Sequence, residues 1–243
     1  MVKIVAACAI GLLGILGAGD VFAQSSIELR DIQIQVKEMF KKKRYREAVP
    51  YAEKALRMSE IEFGSTHPTT AAFVFNLAKL HRLEAQYKEA EPLYKRALEI
   101  RQNALGEGHA DVAASYNSLG RLYDEQGEHD TAEYFYSRAL DVMQVVLSDD
   151  PHQENAMSRI ARVYRGQAYH NRARLFHEQG SYEDAENLFG AAVVILRSMM
   201  GEKHSEVARA YDNYAELLRD MGRPDEAVEK ESYAQAIRVR SRK

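Results

Sequence analysis

The sequence is poor in the residues on which several classes of protein depend. Among its 243 residues it has no tryptophan, five prolines and one cysteine, Cys8. A chain with one cysteine forms no internal disulfide and offers no thiolate cluster for a metal ion. Few prolines and few glycines, with 46% hydrophobic and 28% charged residues, favour a helical protein.

The chain also has little net charge. Its 33 lysines and arginines nearly balance 36 aspartates and glutamates, which gives a formal net charge of −3. Binding to nucleic acid needs a concentrated cationic surface. We therefore predict no nucleic-acid partner, and any recognition by charge must be local.

The only long apolar run lies at the N-terminus. Lys3 precedes an apolar stretch from Ile4 to Ala18, and Val21-Phe22-Ala23 follows it. This order predicts a signal peptide at residues 1–23 with cleavage after Ala23. An uncleaved anchor is the alternative, although the run is shorter than the roughly 20 residues of a spanning helix. We expect the protein to be exported, most simply to the periplasm, and secretion or attachment to the envelope are the alternatives. After cleavage we expect no stable membrane insertion.

Alanines reveal an internal repeat in the rest of the chain. One series, separated by 42, 42, 53 and 42 residues, is Ala48, Ala90, Ala132, Ala185 and Ala227. A second series with the same intervals lies seven residues later and is Ala55, Ala97, Ala139, Ala192 and Ala234. Seven residues are about two helical turns, so both alanines lie on one face, where a neighbouring helix can approach closely. They predict a packing seam.

Other positions keep the same register. Aromatic residues at Tyr94, Tyr136 and Phe189 follow the first alanine by four and are predicted to be core. Turns between repeats are predicted at 63–68, 105–110 and 200–205, and turns within repeats at 125–128, 178–181 and 220–223, where glycine stops a helix. Each unit is therefore predicted to be helix, turn, helix, turn.

The segment Tyr116-Asn117-Ser118-Leu119-Gly120-Arg121-Leu122-Tyr123, followed by Gly127, Ala132, Tyr136 and Ala139, resembles a tetratricopeptide repeat. The 42-residue period is similar to the kinesin-light-chain variety. The resemblance covers the chain from about residue 27 to its end. It implies an all-α fold, a right-handed α-solenoid of about five helix-turn-helix repeats, whose first helices line a concave groove that binds peptides or protein segments.

The predicted domain is 24–243, with repeats at about 27–68, 69–110, 111–152, 153–205 and 206–243. The fourth repeat has 11 extra residues, which is close to three helical turns, so we predict a longer first helix there. Gly166 offers the alternative of two shorter helices. In the last repeat Glu231 and Gln235 replace apolar residues, which is typical of a solvent-facing cap.

A ladder of charged positions lies 11 residues before each first alanine. Its members are Lys37, Lys79, Arg121, Arg174 and Glu216. If the first helices face the groove, as the resemblance implies, these cations and nearby Phe75, Arg82, Asn117, His170 and His177 form a candidate peptide-binding site for an acidic segment. In some tetratricopeptide domains an asparagine, here Asn117, clamps a terminal carboxylate. The alternative is that the cations are ordinary solvated side chains.

We predict no metal, cofactor or catalytic residues. His67, His109 and His204 occupy equivalent turns of different repeats, which separates them by about 10 Å or more, so we predict turn or cap roles instead. Asn76, Asn171 and Asn213 share one register and could hydrogen-bond either to the backbone of a ligand or across neighbouring repeats, and we favour the bonds across repeats. No zincin histidine pair, nucleophile elbow or phosphate-binding glycine loop is present.

These features predict an exported protein-interaction scaffold that binds a protein or peptide partner rather than an enzyme. The alternative is a structural subunit of an envelope assembly that self-associates into a homo-oligomer. Light scattering distinguishes the two, because a concentration-independent monomer counts against the second.

Overall fold

The computed structural model describes residues 18–148 and 156–241. Within those ranges the secondary structure consists of ten α-helices: α1 (Ala18–Lys41), α2 (Tyr45–Phe63), α3 (Pro68–Leu83), α4 (Tyr87–Leu105), α5 (Ala110–Asp124), α6 (His129–Ser148), α7 (Ala156–Glu178), α8 (Tyr182–Met200), α9 (Ser205–Asp220) and α10 (Pro224–Ser241). Residues 1–17 of the predicted leader lie outside the described residues, so the leader stays a prediction.

The alanine register sets where the second helix of each repeat begins. Helices α2, α4, α6, α8 and α10 all start three residues before the first alanine of their repeat. In each case the alanine N–H donates to the carbonyl four residues earlier, as Ala132 does to Glu128 at 2.9 Å. Every alanine of both series is buried, with at most 2% of its surface exposed. The predicted packing seam is confirmed.

Histidines cap the first helices of three repeats. Nδ1 of His67 accepts the Thr69 N–H at 3.2 Å, and His109 and His204 make the equivalent bond at the start of α5 and α9. Each imidazole thereby satisfies a backbone donor that the first turn leaves unpaired. The predicted cap role of these histidines is confirmed.

The turn within each repeat needs one residue with positive φ. Gly127, Gly180 and Gly222 supply it with φ of 79°, 79° and 74°. The equivalent positions of the first two repeats hold Lys43 (φ 56°) and Ala85 (φ 55°) instead. These two turns keep the geometry without glycine, at some cost in backbone energy.

The chain divides into two compact units, residues 1–93 and 94–243, and the division falls inside α4. In the described part of the first unit α2 packs between α1 and α3. Apolar side chains of these helices form its interior, among them Ile32 of α1, Leu56 of α2, and Val74 and Leu77 of α3.

The second unit continues the same pattern with α5 to α10. Each helix packs on the next, and first helices also contact first helices, α5 with α7 and α7 with α9. The predicted core aromatics Tyr136 and Phe189 are fully buried, with 0% of their surface accessible. The final helix α10 buries Ala227, Ala234 and Ile237, whereas Gln235 is exposed, as predicted for a cap.

Helix α7 is the longer first helix predicted from the 53-residue interval. It has 23 residues, against 15 in α5 and 16 in α9, and it runs through Gly166 without a break. Gly166 packs against α8, where a Cβ would lie 2.9 Å from Leu196 Cδ2. The close approach explains the glycine, and the alternative of two helices split there is wrong.

Among the described residues, no helix has both the length and the apolar character that crossing a membrane requires.

Candidate functional site

A cavity of about 400 Å³ opens between α1, α2 and α3 in the first unit. Its lining residues are Gln33, Val36, Lys37, Phe40, Lys41, Ala52, Ala55, Phe73, Asn76, Lys79 and Leu80. The small seam residue Ala55 and its neighbour Ala52 leave this space open above α2. We call it the α1–α3 cavity.

Lysines surround the apolar interior of the α1–α3 cavity. Lys37 and Lys79, the first two members of the predicted ladder, both line it, and Lys79 Nζ lies 4.5 Å from the centroid of the Phe40 ring. The third, Lys41, pairs with Glu38 at 2.6 Å, and this hydrogen bond lowers the pKa of Glu38. No carboxylate is among the described residues that line the cavity. Its electrostatic character is therefore cationic.

The other two predicted site residues of this unit lie elsewhere on α3. Phe75 is partly buried, and Arg82 is 4% exposed. Neither lines the α1–α3 cavity. The structure brings Lys37 and Lys79 to one cavity, whereas Phe75 and Arg82, which were predicted to belong to the same site, lie outside its lining.

In the second unit, Asn117 and His170 are interior residues. Asn117 is 5% exposed and accepts a hydrogen bond from Asn171 at 3.1 Å. His170 is 3% exposed and lies 3.3 Å from Asn213 Nδ2. The predicted bonding of Asn171 and Asn213 across repeats is confirmed, and Asn117 belongs to the same set.

Burial also determines the charge of His170. The loss of solvent, with Arg209, Arg174 and Arg121 nearby, lowers its pKa to about 3. The imidazole is then neutral at physiological pH and adds no positive charge to the surface. Direct attraction of an acidic ligand by His170 is excluded for this conformation.

The remaining ladder cations of the second unit are paired with acids. Arg174 lies 3.5 Å from Asp124 and 2.9 Å from Glu178, and Arg121 lies 4.0 Å from Glu125. His177 contacts Asp220 of α9 at 2.7 Å. These contacts hold the three side chains within the unit, so fewer of their donors are available to a partner.

A second cavity, of about 390 Å³, lies between α7 and α9. Its lining residues are Arg174, His177, Glu178, Tyr182, Asn213, Glu216 and Asp220. Its three carboxylates outnumber its two basic side chains. It is a polar cleft with no preference for an acidic ligand, in contrast to the α1–α3 cavity.

Comparison with known proteins agrees with this repeated geometry. A family model described as tetratricopeptide repeat matches residues 39–103, 71–144 and 164–240. The chain belongs to the tetratricopeptide repeat family. A search of curated proteins gave no significant sequence match.

Solved tetratricopeptide structures share the fold at low sequence identity. A putative kinesin light chain from Podosopora anserina with nearly identical TPR-like repeats is 20% identical, with a TM-score of 0.59 over 88% of this chain and 96% of that one. BtubC from P. vanneervenii is 17% identical, with a TM-score of 0.65 over 90% and 89%. The all-α tetratricopeptide class and the likeness to kinesin-light-chain repeats are thereby confirmed.

The Rap conjugation gene regulator of the plasmid pLS20, solved with the Phr* peptide, is 15% identical with a TM-score of 0.75. The match covers 93% of this chain and 57% of the Rap chain. This chain therefore corresponds to just over half of that regulator.

The predicted site did not include the other residues of α1 that line the α1–α3 cavity. Gln33 and Phe40 lie four residues before and three after Lys37 on α1, the spacing at which side chains on a helix are neighbours, and Val36 lies four before Phe40. The residues one helical turn from each ladder position therefore contain the signal for this part of the cavity. The acidic partners of Arg174 and His177 gave no such signal, because Asp124 and Asp220 belong to other repeats.

Proposed function

We propose that this tetratricopeptide protein is an interaction scaffold that binds a peptide or protein segment at the α1–α3 cavity. The observation that carries the proposal is an apolar cavity whose lining includes three lysines and no carboxylate among the described residues. A volume of about 400 Å³ lies within the usual range of ligand pockets, about 300–1,000 Å³. The protein acts by binding rather than by catalysis.

The chemistry of the cavity favours an apolar anchor next to an acidic residue. Val36, Phe40, Phe73 and Leu80 offer apolar surface to one large side chain of the partner. Lys37 is exposed at the cavity edge and can pair with a carboxylate of the same segment. The Rap structures solved with the competence and sporulation factor and with the Phr* peptide support this role, since they have bound peptide on the same fold.

An array of immobilised peptides tests the proposal. Each peptide has a central leucine or phenylalanine flanked by glutamate, serine or lysine. We expect the glutamate set to bind best, and binding to fall as salt rises, because exposed charge pairs are screened. The double variant Lys37→Glu/Lys79→Glu is expected to bind the glutamate set about tenfold less tightly and to prefer the lysine set. The reason is that each contact between a lysine and a peptide carboxylate, which contributes about 0.5–1 kcal/mol, becomes repulsive.

Lys88→Glu is the matched control. Lys88 is exposed on α4 in the same unit and does not line the α1–α3 cavity. Its charge reversal changes the net charge by the same amount as the reversal of either cavity lysine. It should leave the order of the peptide sets unchanged. If the double variant keeps the wild-type preference, or if Lys88→Glu shifts it as much, the cavity is not the binding site.

We also propose that the chain is exported, on the strength of its N-terminal sequence. Lys3 and the apolar stretch from Ile4 to Ala18 have the order of a signal peptide. Fractionation of cells that express the chain, with N-terminal sequencing of the product, tests this. A mature N-terminus at Gln24 in the periplasm is expected, and the double variant Leu12→Arg/Leu13→Arg should retain the uncleaved chain in the cytoplasm. An uncleaved wild-type chain would contradict the proposal.

A further inference from the structure

Three potential metal ligands converge at one end of the second unit. Asp124 is the last residue of α5, His129 is the first of α6, and Glu178 is the last of α7. Each offers one ligand atom, and the three atoms lie within 4.8 Å of one another. It is the single group of this kind in the described part of the chain, and it contains none of the three histidines that cap helices.

Two side-chain atoms of this group are buried without a hydrogen-bond partner. The Asp124 side chain is 2% exposed, and neither its Oδ1 nor His129 Nδ1 has a partner. Buried polar atoms in native proteins are nearly always paired, and an unpaired one costs about 1–3 kcal/mol. A missing ligand accounts for both atoms at once.

The distance between these atoms suits a shared ion. Asp124 Oδ1 and His129 Nδ1 are 3.6 Å apart, which is longer than an ordinary hydrogen bond. Two ligands of one tetrahedral zinc ion, each at about 2.0–2.2 Å from the metal, lie about 3.3–3.6 Å from each other. The observed separation therefore fits two ligands of one ion better than a direct bond between the two groups.

The second oxygen of the Asp124 carboxylate makes the kind of contacts that usually surround a metal ligand. Its Oδ2 accepts a hydrogen bond from the Tyr136 hydroxyl at 3.2 Å and lies 3.5 Å from Arg174 Nη1. Outer contacts of this kind orient ligating carboxylates. They leave Oδ1 facing His129.

Arg174 also limits the affinity. It donates to Glu178 Oε1 at 2.9 Å, and an ion must compete for that carboxylate or use its other oxygen. The Glu178 side chain is 45% exposed at a helix end and has room to adjust. Two carboxylates and one guanidinium leave one net negative charge, which favours a cation but more weakly than a site without the arginine.

We propose that Asp124, His129 and Glu178 bind one divalent transition-metal ion of the zinc type, which joins α5, α6 and α7. Imidazole nitrogen together with carboxylate oxygen suits zinc, cobalt and manganese, and three protein ligands leave a fourth position for water. This site is separate from the α1–α3 cavity, and neither proposal depends on the other.

The repeat itself supplies the variant for a test. His129 occupies the register position that holds Tyr45, Tyr87 and Tyr182 in other repeats, so His129→Tyr replaces it with a residue this fold accepts there. Glu178→Gln, at a partly exposed helix end, is a second variant that removes one charge with little change in shape. His67→Asn is the matched control, because it removes a histidine and keeps a capping side chain.

Isothermal titration of the full chain with zinc chloride, with cobalt absorption spectra alongside, measures the site. We expect one zinc per chain with a dissociation constant in the micromolar range or below, and a higher melting temperature with zinc. His129→Tyr should weaken binding at least tenfold and abolish the thermal shift, and Glu178→Gln should weaken binding less. His67→Asn should bind as the wild type does.

Absence of stoichiometric binding to the wild type would overturn the proposal. The proposal would also be overturned if His129→Tyr and Glu178→Gln both bound zinc as tightly as the wild type. An equal loss of zinc affinity in His67→Asn would overturn it too, because it would indicate non-specific binding to histidines. Circular dichroism melts of each variant without zinc establish that the differences arise in the folded protein.

Discussion

Gly120 of α5 packs directly against the ring of Tyr136 of α6. A Cβ built there would stand 2.5 Å from Cδ1 of Tyr136, whose side chain is fully buried and bonded through its hydroxyl to Asp124. The ring cannot move aside without disturbing the core. We expect Gly120→Ala to lower the free energy of unfolding by about 1–3 kcal/mol, the usual cost of overpacking, measured by urea denaturation.

Gly190→Ala is the comparison for that measurement. Gly190 is within α8, and nothing lies within 4 Å of a Cβ built there. Alanine is the better helix former by about 1 kcal/mol, so this variant is expected to be as stable as the wild type or more so. Equal destabilisation at both glycines would mean that contact with Tyr136 is not the cause.

Individual side chains were predictable where their role is local. The cap role of His67 follows from its position before Pro68 at a helix start, and the structure confirms it. The environment of Arg174 was not predictable, because Asp124 lies 50 residues earlier and in a different register position. A repeat period predicts where a side chain lies on its helix, but not which residue of the neighbouring helix lies opposite it.

At the scale of helices, the first helices of the second unit are joined by buried or partly buried polar bonds. Asn171 of α7 donates to Asn117 of α5, while Asn213 of α9 contacts His170 of α7. A polar bond inside an interface specifies register, since a slipped helix leaves both groups unpaired. The shared register of Asn171 and Asn213 predicted this, whereas the partners Asn117 and His170 came from the structure.

A double-mutant cycle tests the bond between α5 and α7. Asn171→Ala is expected to cost about 1–3 kcal/mol, because it leaves the buried Asn117 oxygen without a donor. The double variant Asn117→Ala/Asn171→Ala should cost less than the sum of the two single variants. Urea denaturation of all four proteins gives the coupling energy.

Asn187→Ala controls for the loss of an asparagine from a helix. Asn187 is exposed on α8, and its replacement should change stability by less than about 0.5 kcal/mol. Additive effects of Asn117→Ala and Asn171→Ala would show that the two side chains do not stabilise each other.

At the scale of the molecule, each repeat depends on its neighbour for burial. In the second unit, Val193 and Leu196 of α8 are buried in one cluster with Val207 and Tyr211 of α9 and Ile237 of α10. Repeat proteins are stabilised by such nearest-neighbour interfaces and need a terminal repeat with a polar outer face. Helices α9 and α10 cover the apolar face of α8 in this way.

Deletion of residues 205–243 removes α9 and α10 and exposes Val193 and Leu196. We expect a lower melting temperature and concentration-dependent aggregation of the shortened chain, measured by calorimetry and light scattering. A chain that ends at Ser241 keeps all of α10 and should behave as the wild type. An unchanged melting temperature after deletion of 205–243 would contradict the dependence of α8 on the last repeat.

The sequence by itself determined the helices, their order and the packing seam. The reason is that the 3.6-residue period, small alanines and turn glycines act locally, and five repetitions make the register unambiguous. Even the greater length of α7, 23 residues against 15 in α5, was indicated by the 11 additional residues of its repeat.

Only the tertiary structure decided what surrounds each ladder position. Lys37 and Lys79 border a cavity, whereas Arg174 pairs with Asp124 and Glu178, although the three cations share one register. The candidate metal site depends on the tertiary structure for the same reason, because Asp124, His129 and Glu178 come from three different helices. Helical periodicity fixes the direction of a side chain, and the chemistry of a site depends on what neighbouring helices place beside it.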